Sequence, residues 1–289
     1  IANVCNEAAL IAARHGKKFV GKQDFLDAVD RIIGGLEKKT KITTEAERRS
    51  IALHEAGHAS ISWLLEYANP LIKVTIVPRG RALGAAWYLP EERQITTKEQ
   101  MLDEMCATLG GRAAEDLFLN RISTGAMNDL ERVTKQAYGM IAYLGMSDKL
   151  PNLCYYNNEE YSFNRPYSEK TAELIDTEVK NMVNEQYERA KKILSEHREG
   201  HNQLAQLLID KEVIFAEDVE RIFGKRPWAS RSEEIMAAKE SQEAAEAEKR
   251  LAEEVKEKEK EIKEEEAENS TEEKEATEAK ITVEGKVSI

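Results

Sequence analysis

Apolar residues near the start of the chain recur at helical spacing. Ala8, Leu10, Ile11 and Ala12 run to Gly16, and Phe25, Leu26, Ala28, Val29, Ile32 and Ile33 run to a stop at Gly34 and Gly35. The pattern predicts two short helices within residues 1–36. Glu37 to Lys41 carry charge and no core residue, so residues 37–43 read as a linker. Thr44 with Glu47 has the spacing of a capping box, and it opens a helix through Ile51, Leu53, Ala56, Ala59 and Trp63 that should end near Tyr67. From Lys73 to Pro90 the period changes. Val74, Ile76 and Val77 precede a Pro-Arg-Gly turn and Ala85, Ala86, Trp87 and Tyr88 follow it, which predicts two short strands.

Thr96 with Glu99 marks the next helix start, ahead of Met101, Leu102, Met105, Leu109, Ala113 and Leu117. Gly110 and Gly111 are expected to interrupt that helix where another backbone packs closely. A turn at Ser123 to Gly125 leads into a helix from about Ala126 to Leu144. Residues 147–167 are rich in Asn, Tyr and Pro without a period and read as a long loop. Helix returns from Glu169 to Glu196, a shorter helical pair ends near Phe223, and Pro227 with Trp228 closes the folded part. Beyond it only Leu251, Val255 and Ile262 are regularly placed apolar residues, too few for a coiled coil. The fold class is mainly α, with one small β-sheet that includes an edge strand.

Charge sharpens the last boundary. The 289 residues hold 42 Lys and Arg against 54 Asp and Glu, a net of −12. Residues 231–289 alone carry 20 Glu and 11 Lys or Arg, a net of −9, so the imbalance belongs to a tail expected to be solvated helix or disorder. The remainder is nearly neutral and has no basic patch, which excludes nucleic acid as a partner. Cys5, Cys106 and Cys154 are odd in number and far apart, as expected of space-filling thiols rather than a disulfide framework. No apolar run reaches the ~18 residues of a membrane-spanning helix, so the stretch given is expected to be soluble. The chain opens at Ile1 inside a helical pattern, as expected of a piece of a longer protein.

The chemistry is concentrated in His54-Glu55-Ala56-Gly57-His58, an H-E-x-x-H sequence within a strongly periodic helix. Four residues is about one turn, so both imidazoles project from one face and can share a metal ion, with Glu55 beside the metal's water as a general base. A catalytic zinc takes three protein ligands. The extended motif with a third histidine fails, because Ile61 and Leu64 stand where its glycine and histidine would be. The remaining ligand is then a carboxylate or a distant histidine; Asp103, Glu104, Glu115, Asp116, Asp129 and Glu131 are the acids on adjoining helices, and spacing does not select among them. Asp129 has the better local argument, since it follows a Ser-Thr-Gly turn in the first turn of a helix. His197 and His201 also stand four apart. Their Glu199 has the wrong offset and Gly200 suggests a helix end, so this pair is expected to be a solvated helix terminus.

Around these residues the sequence resembles the FtsH-type AAA zinc proteases. The matching stretches are HEAGHA at 54–59, VTIVPRG at 74–80, ALG at 82–84, GGRAAE at 110–115 and STGAMNDLERVT at 123–134, with NEAALIAAR at 6–14 and RPW at 226–228. The resemblance implies His54, His58 and Asp129 as ligands of one zinc per subunit, Glu55 as catalytic base, and Glu115 as an acid supporting the site from behind. It implies residues 1–36 as the end of an AAA helical lid, 44–229 as the zinc metallopeptidase domain and 230–289 as an acidic tail. ATP and magnesium would act only through an ATPase module, because the G-x-x-x-x-G-K-[ST] phosphate loop does not occur here.

The implied function is zinc-dependent endoproteolysis within an ATP-driven, processive homo-hexamer, or a hetero-hexamer of paralogues, that degrades membrane and soluble proteins for quality control. Unfolded polypeptide would lie as a strand along Gly84, Ala85, Ala86 and Trp87. The parent would be membrane-anchored through segments outside this chain, with this part on the cytoplasmic or matrix-like side. A non-proteolytic assembly module of the same family is the alternative, and the retention of Glu55 between two histidines speaks against it. A stand-alone zinc peptidase is disfavoured by the lid-like N-terminus.

Overall fold

Helix α3 (Glu45–Leu64) is the axis of the molecule, and every residue from Ala52 to Trp63 is buried. Its start is fixed as the sequence requires: Thr44 Oγ1 accepts from Glu47 N at 3.2 Å and Glu47 Oε2 accepts from Thr44 N at 2.8 Å. In this computed structural model, residues 1–36, 44–79, 83–89, 94–155, 166–229, 233–243 and 250 are described. The linker at 37–43 and residues 156–165 of the loop at 147–167 fall outside them.

Further helices build the body around α3. Helix α4 (Lys98–Leu119) crosses it at two facing glycines; a Cβ on Gly57 would lie 2.4 Å from the Gly110 carbonyl oxygen. Gly110 therefore serves a backbone crossing, and neither it nor Gly111 interrupts the helix. The capping box of α4 is Thr97 with Gln100, one residue later than Thr96 with Glu99, because Thr97 adopts the extended cap conformation. Helix α5 (Met127–Tyr138) continues as a π-helical turn, Gly139–Tyr143, and buries Val133, Ala137, Met140 and Ile141 against Met105 and Leu109. Helix α6 (Glu169–Glu196) runs to α7 (Arg198–Lys211), which packs Leu204 and Leu208 beside α3.

Strands β1 (Leu71–Thr75) and β2 (Ala85–Tyr88) form the expected pair, and a third strand, β3 (Val213–Phe215), leads into α8 (Ala216–Phe223). The order is β2-β1-β3, antiparallel throughout, so β2 and β3 are the edges among the described strands. Ala86, Val74 and Ile214 stand opposite one another on the face that packs against α3. The loop after α3 is held by Arg226, whose guanidinium donates to the carbonyls of Leu65, Glu66 and Ala68, while Trp63 Nε1 donates to Gly224 O. The Arg-Pro-Trp end of this unit thus caps the metal-motif helix from across the chain.

Helices α1 (Ala2–Arg14) and α2 (Lys22–Val29), with a π-helical turn at Asp30–Gly34, enclose a small satellite core of Ala8, Ile11 and Ala28. Residues 1–228 form one compact unit and 229–289 a second, of which 233–243 are helical and exposed. Of the cysteines only Cys106 fills space in the core; Cys5 and Cys154 are exposed, contrary to expectation. No described helix is long and apolar enough to cross a membrane.

Candidate metal centre and cleft

The one-turn spacing on α3 brings His54 and His58 onto the same side, with ring centroids 4.8 Å apart. Each ring is oriented by its outer nitrogen. His54 Nδ1 donates to Glu115 Oε1 at 2.9 Å, and His58 Nδ1 donates to the carbonyl of Ala107 at 2.9 Å, both acceptors lying on α4. With the protons on Nδ1, both Nε2 lone pairs face inward. Room for the first ring comes from Gly111, where a Cβ would sit 2.4 Å from His54 Nε2.

The turn Thr124–Ala126 starts α5 and brings Asp129 to the same point from the other side. Asp129 Oδ2 lies 3.3 Å from His54 Nε2 and 3.5 Å from His58 Nε2, and the two nitrogens are 3.1 Å apart. A tetrahedral zinc with bonds of about 2.0–2.1 Å requires ligand atoms about 3.3 Å from one another, so the triangle fits that ion in size and donor type. Three acceptors also converge here with no donor among them in these tautomers, an arrangement that a shared cation relieves. Among the described residues this is the one group of three potential ligands within 4.8 Å.

Of the six acids considered, the other five are engaged elsewhere. Glu115 stands behind His54, accepting also from Ser123 Oγ at 2.8 Å and Ser123 N at 2.7 Å. Asp103 holds Arg189 and Tyr67 N, Asp116 holds Lys191 and Tyr187, Glu131 pairs with Lys135, and Glu104 pairs with Arg132. Burial opposes ionisation of Glu115, yet His54 and Ser123 hold its carboxyl down to about 2. Asp129 is held well below the usual range by both imidazoles, again against burial. Burial lowers His54, but the carboxylates of Asp129 and Glu115 on either side of its ring raise it to about 10. Glu55 differs, since burial pushes its carboxyl up against the pull of the two imidazoles, the direction that suits a group meant to take and return a proton near neutrality.

The centre opens into a cleft of about 740 Å³. One wall is β2 and its approach: a Cβ on Gly84 would lie 2.7 Å from Glu55 Oε1, so the bare glycine lets the edge strand run directly past this carboxylate. Ala85 and Ala86 line the cleft with Gly84, and Tyr88 lies further along. The opposite wall comes from Thr108, Asn128 and Arg132. Trp87 is not a lining residue; it faces away, beneath Lys73.

Several contributors escaped the sequence reading. The Ala107 carbonyl has no motif of its own, and the turn that contains Ser123 gives no sign in the sequence that Ser123 holds Glu115. Gly111 was read as a backbone contact, whereas its missing side chain makes room for an imidazole. His201 corrects an expectation outright: it is fully buried inside α7, stacked on Phe118 at 4.1 Å, with Nε2 donating to Leu53 O at 3.1 Å. Gly200 does not end that helix but lets it approach Phe223, whose ring a Cβ would meet at 2.6 Å. His197 alone is the exposed helix-end residue expected of the pair.

Comparison with known proteins agrees with the residue-level reading. An ATP-dependent zinc metalloprotease FtsH of Parabacteroides distasonis is 73% identical over 242 residues, covering 83% of this chain and 35% of that protein. The FtsH of Rhodothermus marinus is 53% identical over 233 residues, 79% of this chain and 33% of its own length. The mitochondrial inner membrane m-AAA protease component AFG3L2 of Mus musculus is 46% identical over 234 residues, 80% and 29% of the two chains. The chain thus spans about a third of the length of these relatives. A sequence model of peptidase family M41 matches residues 41–222, more than half of the chain and a span that contains His54, Glu55, His58, Glu115 and Asp129. By that match the chain belongs to peptidase family M41.

Proposed function

We propose that this chain is the peptidase portion of an ATP-dependent zinc metalloprotease, with His54, His58 and Asp129 holding one zinc and Glu55 acting as general base. The observation that carries the reading is the triangle of two Nε2 atoms and one carboxylate oxygen, 3.1–3.5 Å on each side, beside a buried glutamate. Zinc bound there would supply the Lewis acidity that polarises a peptide carbonyl and makes a water acidic. Glu55 then accepts the proton of the attacking water and delivers it to the departing amine. Its raised affinity for protons suits both halves of that transfer. Glu115 and the Ala107 carbonyl fix the imidazole tautomers, and Ser123 fixes Glu115.

Substrate lies as an extended strand along Gly84 to Trp87, held through the edge of β2 that no described strand pairs. Backbone hydrogen bonds carry no side-chain information, so sequence tolerance is broad and unfolded polypeptide is the substrate class. Residues 1–36 are the end of an ATPase lid, 44–229 the peptidase domain and 230–289 an appended tail. ATP and magnesium act through a module outside these residues, the assembly is a homo- or hetero-hexamer that works in protein quality control, and the membrane is reached through segments outside this chain. This part then works on the cytoplasmic or matrix-like side. A non-proteolytic module has no use for a base between two ligands, and nothing in the site favours it.

The test is metal analysis paired with cleavage of casein and of a short unstructured peptide. The reading expects one zinc per chain, cleavage abolished by chelation and cleavage restored by zinc. A chain that holds one zinc and cleaves neither substrate contradicts it.

A further inference from the structure

The outer face of the small sheet carries a charge that a sheet does not bury without cause. Lys73 on β1 stands opposite Trp87 on β2, on the face turned away from α3. Its ammonium lies 5.5 Å from the Trp87 ring centroid, and the residue is only 7% exposed. What covers it is the π-helical turn at the end of the N-terminal helices. Asp30, itself 7% exposed, pairs with Lys73 Nζ, and its second oxygen lies 3.7 Å from Arg79 Nη2. Gly34 closes the same junction, since a Cβ there would meet Arg79 Cδ at 3.4 Å and Trp87 Cζ2 at 3.5 Å. Arg31 of the turn also reaches back to Glu7 on α1 at 2.6 Å, which ties the turn to the first helix.

A buried ammonium is tolerated only while it is paired. Without Asp30, Lys73 must swing toward water and leave Trp87, and the strand that Trp87 anchors loses its outer packing. That strand is β2, whose neighbouring residues Gly84, Ala85 and Ala86 line the cleft beside Glu55. Among the described residues β2 has a hydrogen-bonded partner on one side only, and its register with β1 is already irregular between Leu71 and Lys73. Its position therefore depends on what packs against its faces. We propose that Asp30 is a positioning residue for the peptidase cleft: through Lys73 and Trp87 it holds the substrate-binding edge strand in place, so the N-terminal helices set the geometry of that strand. Displacing those helices loosens β2 without touching the metal ligands.

The inference rests on reading β2 as the substrate strand, and its test separates the two. In the full 289-residue chain, Asp30→Asn is compared with wild type and with Asp30→Glu, which keeps the charge. Hydrogen exchange of the backbone amides at 71–75 and 85–88 requires neither metal nor turnover. It is expected to speed up at least tenfold in Asp30→Asn and to recover in Asp30→Glu. Zinc content is expected to stay at one per chain, with KM for an extended peptide rising about tenfold and kcat within twofold of wild type. Unchanged exchange at both strands in Asp30→Asn overturns the proposal. Accelerated exchange with unchanged KM overturns the link to substrate, while failure of wild type to cleave at all tells against the functional reading and leaves exchange to decide the positioning role. If Asp30→Asn does not fold, the double variant Asp30→Asn/Lys73→Met, which leaves no unpaired charge, is read by the same exchange criterion.

Discussion

Each imidazole of the centre is committed by a partner the other does not share. His54 leans on a carboxylate and His58 on a backbone carbonyl, so the two nitrogens that meet at 3.1 Å are held by different supports. Replacing the carboxylate behind His54 and removing the one in front should therefore differ in degree. Glu115→Gln is expected to weaken zinc binding by about 10–100-fold, and Asp129→Ala by more, with activity lost in step. Competition titrations against a zinc chelator check the order, and equal losses would move the ligand role away from Asp129. Burial has the opposite effect on His201, pushing its imidazole down to about 4 against the hydrogen bond to Leu53 O. Below pH 6.5 the unfolded chain takes up a proton that the folded chain refuses until about pH 4, so stability falls as pH drops through that window. In His201→Gln this pH-dependent loss should shrink by on the order of 2 kcal/mol between pH 6.5 and 4.5, read from denaturation midpoints of both proteins. Parallel pH profiles would contradict it.

At the scale of elements, the site depends on how closely α3 and α4 approach. Gly57 sits between the two histidines and faces Gly110 across the crossing, where an added methyl would lie 2.4 Å from a backbone oxygen. Gly57→Ala is expected to destabilise the fold by about 1–3 kcal/mol and to lower zinc affinity, because both acceptors that orient the rings ride on α4. Chemical denaturation with zinc titration measures both; a neutral variant would contradict the crossing. Helix α3 was legible because its capping box, apolar face and motif agree. The start of α4 was misplaced by one residue because Thr96 and Thr97 each have an acid or amide three positions on, and only the extended backbone at Thr97 decides. Strand β3 was missed for a different reason. Val213–Phe215 is three residues wedged between helices, too short for alternation to register, and it pairs only because β1 is already there. Likewise Gly200 and His201 have the local look of a helix end, and only the contacts with Phe223 and Phe118 reveal a packed interior.

For the whole molecule, the ligand set was partly written in the sequence. The two histidines and the glutamate of the motif share one helix turn, but the third candidate ligand comes from α5, and of the six acids only Asp129 is brought by the fold to both Nε2 atoms. The acidic tail lies beyond the family match, which ends at residue 222. Deleting residues 231–289 is expected to leave zinc content and peptide cleavage within twofold of the full chain, and a larger loss in either would assign the tail a part in the site. The central claim is that a buried glutamate between two metal-binding histidines does the proton work of peptide hydrolysis. Glu55→Gln tests it most directly, with zinc content and peptide cleavage measured on the same sample. One zinc per chain with cleavage reduced by at least about 100-fold is the result expected, and cleavage at the wild-type rate with zinc fully bound would contradict it.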